Sequence, residues 1–256
     1  MPQRSGLSAC IITLNEADRI DACLESLAFC DEVVVVDSGS TDDTRERAQA
    51  RGARVSVRKF DGYRSQKDYA VAMAANDWVL CLDADERVTA PLREEIERER
   101  DNGFPSYAGY RFPRLTEYFG AFLRHGNAYP DRVLRLFDRR RGGWRGDREI
   151  HEHASVDGPV GSLHGDLEHH AYRSLGDHLM RMDRYARMMA LHMHAQGRRA
   201  HLFNLFANPF WRFARGYVLR AGFLDGWRGL IYALVKSNYV RQKFIKLWLV
   251  NRGYPI

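Results

Sequence analysis

The 256-residue sequence contains only four cysteines, at positions 10, 23, 30 and 81, and they form no Cys-x-x-Cys pair. This scarcity argues against a disulfide framework and a cysteine-based metal site, and it favours a reduced, cytosolic compartment. The apolar stretch near the N-terminus is too short for a signal peptide, and no run approaches the roughly 18 apolar residues of a membrane-spanning helix. We therefore expect neither a secretory leader nor a transmembrane anchor.

The sequence also lacks the Gly-x-x-x-x-Gly-Lys-Ser/Thr and Gly-x-Gly-x-x-Gly loops with which nucleoside triphosphatases and dinucleotide enzymes hold phosphates. Internal repeats and proline- or serine-rich linkers are absent as well. Hydrophobic residues make up 45% of the chain and charged residues 28%, which excludes a disordered or fibrous protein. The length fits one large domain, or one domain with an extension.

Acidic residues are almost absent from segment 201–256, which contains nine Lys or Arg and a single acid, Asp225. This segment has a net charge of +8, whereas the whole chain has +6, so residues 1–200 sum to −2. Apolar and aromatic residues alternate with these cations in two predicted helices, 202–220 and 226–250. Such helices lie in the headgroup layer of an anionic membrane. Nucleic-acid binding fits less well because Leu, Ile and Phe are so abundant; partial packing on the rest of the protein is the other alternative.

The first hundred residues alternate between strand and helix patterns. The almost uniformly apolar run Glu32–Asp37 suits a central parallel strand that is covered on both faces. Ser40 or Thr41 is the expected cap of the helix 43–51. The repeats predict an α/β fold with a mostly parallel, Rossmann-like sheet flanked by helices and connected by right-handed crossovers. Strands are predicted at 7–13, 32–37, 53–57, 77–86 and within 107–140, and helices at 17–28, 43–51, 64–76 and 175–194.

Polar clusters follow three of these strands: Thr13-Leu14-Asn15-Glu16, Asp37-Ser38-Gly39-Ser40 and Asp83-Ala84-Asp85-Glu86. Each cluster alone is weak evidence, because an Asp at a strand end is often a helix cap, but parallel strands bring all three to one edge. Asp83 and Asp85 would share a face of an extended chain, where their repulsion favours a cation between them. Mg²⁺ or Mn²⁺ binds such carboxylates together with phosphate oxygens, so a metal is expected to hold a diphosphate leaving group.

Four segments near the N-terminus share a recognisable order and spacing: TLNE (13–16), VVDSGSTDDT (35–44), QKDYA (66–70) and DWVLCLDADE (77–86). They resemble glycosyltransferase family 2, whose members are inverting enzymes of GT-A fold that use nucleotide-sugar donors. Further segments are similar to a narrower branch that includes bacterial lipopolysaccharide-core heptose β-1,4-glucosyltransferases. This looser match consists of YPDRVLRLF (129–137), IHEH (150–153), DLEHHAYRSL (166–175) and RYA (184–186).

The resemblance implies roles for the matching residues. Asp37 would accept a hydrogen bond from the base, usually uracil, and Lys67 would face the diphosphate or the ribose. By composition alone, Lys67 is equally consistent with an exposed helix lysine. Asp85 would bind the metal together with Asp83, and His169 is a further candidate ligand. The residues that would contact the nucleotide sugar are Thr13, Asn15, Glu16, Asp37, Lys67 and Asp83.

Inversion requires a base that takes the proton of the acceptor hydroxyl, and Glu152 in the His151-Glu152-His153 segment is the preferred candidate. General base catalysis contributes on the order of 10²–10⁴-fold to such a reaction. Asp131 is the alternative base. Both acids are also consistent with simple ion pairs to the many arginines nearby in the sequence.

We therefore expect a metal-dependent inverting enzyme that moves a hexose, with glucose as the first choice, from a UDP-sugar to a glycolipid such as lipopolysaccharide-core heptose. A polyprenyl-phosphate glycosyltransferase and a non-catalytic, membrane-associated binding module are the alternatives. The expected organisation is a GT-A domain at 1–200, with a nucleotide-sugar half at about 1–100 and an acceptor half at about 101–200, followed by a basic helical extension at 201–256. The protein would be cytoplasmic, peripheral on the inner face of an anionic membrane, and without a nucleic-acid partner.

Overall fold

The structure is a computed structural model and describes residues 4–146 and 152–256. The boundary predicted at residues 200–201, between a GT-A domain and a helical extension, stays a prediction. Segment 170–200 groups with the C-terminal helices. The chain divides into two compact units, Met1–Arg114 with Arg132–His169 and Leu115–Asp131 with His170–Ile256.

Most strands belong to a single sheet in the first unit. The strands of the described chain are β1 (Leu7–Thr13), β2 (Glu32–Asp37), β3 (Arg54–Val57), β4 (Trp78–Asp83), β5 (Glu86–Val88), β6 (Gly109–Thr116), β7 (Asp131–Asp138), β8 (Gly142–Arg145), β9 (His153–Val156), β10 (Val160–Ser162) and β11 (Leu167–His169). Nine of them form a sheet in the order β3-β2-β1-β4-β7-β6-β11-β5, with β10 paired to β6. Strands β3, β2, β1 and β4 are parallel, and β7 is antiparallel to β4.

Strands β1, β2 and β4 are largely apolar because both of their faces are covered. In β2, Val35 joins the hydrophobic cluster on one face of the sheet, whereas Val34 and Val36 join the cluster on the other. Side chains alternate between the two faces of a strand, so only a continuous apolar run can satisfy both clusters. The prediction of a central parallel strand at 32–37 is confirmed.

Four helices flank the sheet in the first unit, and the first three overlap the helices predicted at 17–28, 43–51 and 64–76. The expected cap of the second helix is wrong: its first residue, Thr44, donates its backbone N–H to Asp42 Oδ1 at 3.2 Å. Ser40 and Thr41 instead contact Asn15, in the loop after β1. Ser40 Oγ accepts the backbone N–H of Asn15, and the Thr41 backbone N–H donates to Asn15 Oδ1. The helices are α1 (Ile20–Glu25), α2 (Thr44–Ala50), α3 (Tyr63–Met73) and α4 (Ala90–Asp101).

The second unit is mainly helical. Its helices are α5 (Leu175–Ala195), α6 (Leu202–Phe213) and α7 (Gly226–Val250), with a π-helix at Ala214–Leu219 and a 3-10 helix at Gly222–Asp225 between α6 and α7. Leu247 of α7 is fully buried in a cluster with Ala190 and Met193 of α5. Part of the basic extension therefore packs on its own unit.

Segment 202–227 leaves an unusual number of large apolar side chains in solvent. None of the helices in the described chain combines the length and the apolarity that spanning a bilayer requires. The side chains between 49% and 75% exposed, here called the apolar surface, are Leu202, Phe203, Phe206, Phe210, Trp211, Val218, Leu219, Phe223, Leu224 and Trp227.

Candidate active site

The carboxyl ends of β1, β2 and β4 lie side by side. Thr13 is paired with Asp37 in the register of β1 and β2, and Ile12 is paired with Asp83 in that of β1 and β4. The three polar clusters of the sequence therefore begin at one edge of the sheet, as parallel pairing requires.

Ser40 connects the loops that follow β1 and β2. Its Oγ donates to Asp37 Oδ2 at 2.5 Å and accepts the backbone N–H of Asn15 at 2.8 Å. In return, Asn15 Oδ1 accepts the backbone N–H of Thr41 at 2.8 Å. Asn15 has a φ of 55°, a left-handed conformation that Asn tolerates better than most residues. These bonds fix the two loops against each other without any ligand.

The structure gives the three other nucleoside candidates different surroundings. The Asp37 carboxylate is fully buried and accepts the backbone N–H groups of Gly39 and Ser40, so it shapes its own loop. Within the described chain, the Thr13 hydroxyl is buried without a hydrogen-bond partner, which leaves a polar atom for a ligand to satisfy. The backbone N–H of Glu16 donates to Thr44 Oγ1 of α2 at 2.9 Å, and its carboxylate oxygen Oε2 lies 3.6 Å from Arg19 Nη1.

Asp83, at the end of β4, is held between two cations. Lys67 Nζ lies 3.2 Å from Oδ1, and Arg135 Nη2 donates to Oδ2 at 2.9 Å. Burial by itself would raise the pKa of Asp83, but the charges of Lys67 and Arg135 outweigh it and hold that pKa well below its usual range. Lys67 is only 6% exposed, so the alternative of an exposed helix lysine is wrong.

Lys67 also brings the predicted base to this site. Its Nζ lies 3.5 Å from Glu152 Oε1, so one ammonium group contacts both Glu152 and Asp83. The ring of Trp144 faces the two cations, with its centroid 4.5 Å from Lys67 Nζ and 5.3 Å from Arg135 Cζ. Sequence reasoning missed Trp144, because its contacts come from segments far away in the chain.

Glu86 is a second residue of this cluster to which sequence reasoning assigned no role. Its side chain is fully buried and accepts hydrogen bonds from the Asp83 backbone N–H at 3.0 Å and from Arg114 and Arg135, each at 3.2 Å. Glu86 thus holds Arg135 beside Asp83. The acidic run at 83–86 contains Glu86 and could have drawn attention to this residue. The burial of Glu86, however, depends on sheet pairing that the sequence does not reveal.

We expect Glu86→Ala to lower the free energy of unfolding by about 3–5 kcal/mol, because it leaves buried guanidinium groups without their counter-charge. Urea denaturation measures this loss. Glu94→Ala, on the exposed face of α4, is the matched control and should change stability by less than about 0.5 kcal/mol. Equal stabilities of the two variants would contradict a structural role of Glu86.

The negative charge of Asp85 is balanced by nearby cations less well than that of Asp83. The nearest basic side chains of the described chain are His169, with Nε2 at 3.8 Å, and Arg19, with Nη1 at 3.9 Å, both measured to Oδ2. Burial, assisted by the negative charge of Asp83, raises the pKa of Asp85 to about 7. The expected shared face of an extended chain is wrong, because β4 ends at Asp83 and Asp85 lies in the following turn.

The remaining candidates are less closely joined to this cluster. His169, at the end of β11, is adjacent to Asp85, as just described. Asp131 begins β7 and belongs to the second unit, whereas Glu152 belongs to the first. His151 lies outside the described residues. His153 opens β9 and is exposed.

Comparison with known proteins identifies the family. The sequence matches glycosyl transferase family 2 over residues 8–142, which is more than half of the chain. The chain belongs to glycosyl transferase family 2. It is therefore a glycosyltransferase, and the alternative of a non-catalytic binding module is set aside.

Relatives of this family-2 enzyme match over nearly all of its length. The lipopolysaccharide core biosynthesis glycosyltransferase LpsC of Rhizobium meliloti is 30% identical over 250 residues, which cover 93% of this chain and 92% of that protein. An uncharacterised glycosyltransferase of Rickettsia prowazekii is 30% identical over 251 residues, with 94% and 85% covered. The solved mannosyltransferase PcManGT from Pyrobaculum calidifontis, in complex with GDP-Man and Mn²⁺, is 17% identical with a TM-score of 0.55, covering 96% and 89%. This likeness confirms the predicted GT-A fold.

The donor set at the end of β4 fits a divalent cation. Asp85 is a buried carboxylate whose charge is poorly compensated, and a cation beside it would offset the burial and the repulsion from Asp83 that raise its pKa. Within residues 4–146 and 152–256, no group of three or more His, Cys, Asp or Glu is arranged to hold a metal. Mg²⁺ or Mn²⁺ generally needs only one or two protein carboxylates, because phosphate oxygens and water complete its coordination. A third-ligand role for His169 stays a prediction.

Proposed function

We propose that this family-2 enzyme is a metal-dependent inverting glycosyltransferase that moves a hexose, with glucose as the first candidate, from a UDP-sugar to a glycolipid such as lipopolysaccharide-core heptose. The observation that carries the proposal is the contact of Lys67 with both Asp83 and Glu152, which joins the donor-side motif to the candidate base. The name of the Rhizobium relative supports the acceptor class.

On the donor side, Asp85 and Asp83 would hold Mg²⁺ or Mn²⁺, which supplies a positive charge that offsets the charge developing on the diphosphate. Lys67 and Arg135 add two fixed cations beside Asp83. The nucleoside would lie against the loops that Ser40 connects. The residues proposed to line it are Thr13, Asn15, Glu16 and Asp37.

On the acceptor side, Glu152 takes the proton of the acceptor hydroxyl while that oxygen attacks the anomeric carbon. The bond from this carbon to the diphosphate breaks on the opposite face, and UDP leaves with the electron pair. The configuration at the anomeric carbon is therefore inverted. Lys67 keeps the Glu152 carboxylate beside the donor-binding residues.

A polyprenyl-phosphate acceptor is the second candidate. The exposed apolar surface at 202–227 favours it, because a long isoprenoid chain can pack on such a surface. An ionised phosphate attacks without losing a proton, so this reaction does not need a strong base. The two candidates therefore differ in their dependence on Glu152.

We also propose that the enzyme is peripheral on the inner face of the cell membrane. Arg220 and Arg228 accompany the apolar surface, and segment 201–256 has a net charge of +8. Apolar side chains inserted at the headgroup level, with cations facing anionic lipids, are the usual basis of such binding.

UDP together with Mn²⁺ is expected to raise the melting temperature of the wild-type protein, since a ligand at 100 times its Kd stabilises the native state by about 2.7 kcal/mol. Asp85→Asn should lose most of this shift, because the carboxylate that binds the cation is gone. Differential scanning fluorimetry measures both. Transfer of labelled glucose from UDP-glucose, abolished by EDTA, tests the activity itself.

Asp157→Asn is the matched control for Asp85→Asn, because the Asp157 side chain is 84% exposed. It should keep the full shift with UDP and Mn²⁺. An Asp85→Asn variant that is stabilised as much as the wild type would contradict the proposed metal site.

A further inference from the structure

The second unit contains a pocket that the proposed sugar transfer does not use. It lies between α6, α7 and the segment 123–128 and is partly open to solvent. The charged or polar side chains that line it are His125, Asn127, Arg212, Asp225, Tyr232 and Lys236.

Arg212, on α6, has no carboxylate to balance its charge. Within the described parts of the chain, its guanidinium makes no ion pair or hydrogen bond, and its side chain is partly buried. Burial lowers the pKa of Arg212, and the nearby cations Arg215 and Arg220 lower it further. A partly buried cation without a counter-charge is a candidate contact for an anionic ligand.

Lys236, on α7, is surrounded by neutral groups. Its Nζ lies 3.6 Å from Met182 Sδ and 5.3 Å from the centroid of the Tyr232 ring. Burial raises the pKa of the adjoining Tyr172 to about 12 and lowers that of His178 to about 3, so neither carries a charge near neutral pH. Lys236 therefore adds a second uncompensated cation to the pocket.

Asp225 is the acid of this pocket, and it is already engaged. Its Oδ1 is 2.8 Å from His125 Nδ1 and accepts the Arg124 backbone N–H at 3.1 Å, while Oδ2 accepts the His125 backbone N–H at 3.0 Å. The carboxylate thus orients His125 and does not contact Arg212 or Lys236. One acid against two cations leaves the pocket positive.

Glycine backbone forms a rigid wall of the pocket. A Cβ on Gly222 would lie 2.7 Å from the carbonyl oxygen of Gly216, and one on Gly229 would lie 2.0 Å from that of Gly222. Because these backbones touch, the segments that hold Arg212 and Lys236 cannot move apart or together easily.

We propose that this pocket binds a phosphoryl group through Arg212 and Lys236. An arginine that is fixed on a helix can bind two phosphate oxygens side by side, and a lysine adds a point charge. The phosphoryl group belongs either to a phosphorylated sugar of the acceptor or to a lipid headgroup. The site goes beyond the proposed function, which assigns no ligand to these residues.

Equilibrium dialysis with radiolabelled inorganic phosphate tests the proposal, at constant ionic strength, with EDTA and without nucleotide. We expect Arg212→Gln and Lys236→Gln each to weaken phosphate binding by about tenfold or more, because each removes a charged hydrogen-bond donor. Arg212→Lys should lie between the wild type and Arg212→Gln. Arg241→Gln, an exposed position on the same helix as Lys236, makes the same change of charge and should bind like the wild type.

Equal phosphate affinity of Arg212→Gln, Lys236→Gln and the wild type would overturn the proposal, as would an equal loss in Arg241→Gln. Competition then distinguishes the sources of the phosphoryl group. Displacement by a free hexose phosphate indicates an acceptor sugar. A lipid headgroup is indicated if phosphatidylcholine vesicles that contain phosphatidic acid displace phosphate and vesicles of phosphatidylcholine alone do not. If neither ligand displaces phosphate, the assignment fails.

Discussion

Glu152→Gln is expected to lower the turnover of sugar transfer to a hydroxyl acceptor by about 10²–10⁴-fold, which is the usual contribution of a general base. Glutamine has nearly the same shape but cannot take a proton. The KM for the UDP-sugar should change little, because Asp83 keeps its contacts with Lys67 and Arg135 in this variant. Steady-state kinetics with labelled donor separate the two parameters.

Asp131→Asn is the control that the sequence itself supplies, since Asp131 was the alternative base. It should retain turnover near that of the wild type. If Asp131→Asn loses turnover and Glu152→Gln keeps it, the base is Asp131. If both variants keep turnover, the acceptor does not need deprotonation, and the polyprenyl-phosphate alternative is then favoured.

The position of the site was predictable from the sequence because it depends on simple rules. Apolar runs at 7–13, 32–37 and 78–83 can only be buried as neighbouring strands, and parallel pairing then aligns the residues that follow them. Thr13, Asp37 and Asp83 reach one edge for this reason. Family resemblance added Lys67, whose burial next to Asp83 the pattern of α3 alone did not show.

The rest of the cluster depends on contacts between distant segments. Arg135 reaches Asp83 because β7 pairs antiparallel with β4, and no local pattern predicts that pairing. Glu86 and Trp144 both contact Arg135 from other parts of the chain. Asp85 departs from its expected position because a turn, which the sequence rules for strands do not anticipate, begins directly after Asp83.

Replacing Phe203, Phe206 and Phe210 together with serine is expected to weaken binding to anionic vesicles by at least about 10²-fold. Each ring contributes on the order of 1 kcal/mol or more when it leaves water. All three rings are at least 72% exposed, so their replacement should leave the fold intact. Co-sedimentation with vesicles containing phosphatidylglycerol measures the loss. Truncation after Gly197 is a less direct test, because it also removes the buried contacts of Leu247 with α5.

Phe60→Ser provides the matched control, because this phenylalanine is 43% exposed in the first unit and lies outside segment 202–227. It should sediment with vesicles like the wild type. Binding of the wild type should also fall as salt increases, since the cations of 201–256 act through screened charges. A triple variant that binds vesicles as tightly as the wild type would contradict the proposed role of the apolar surface in membrane binding.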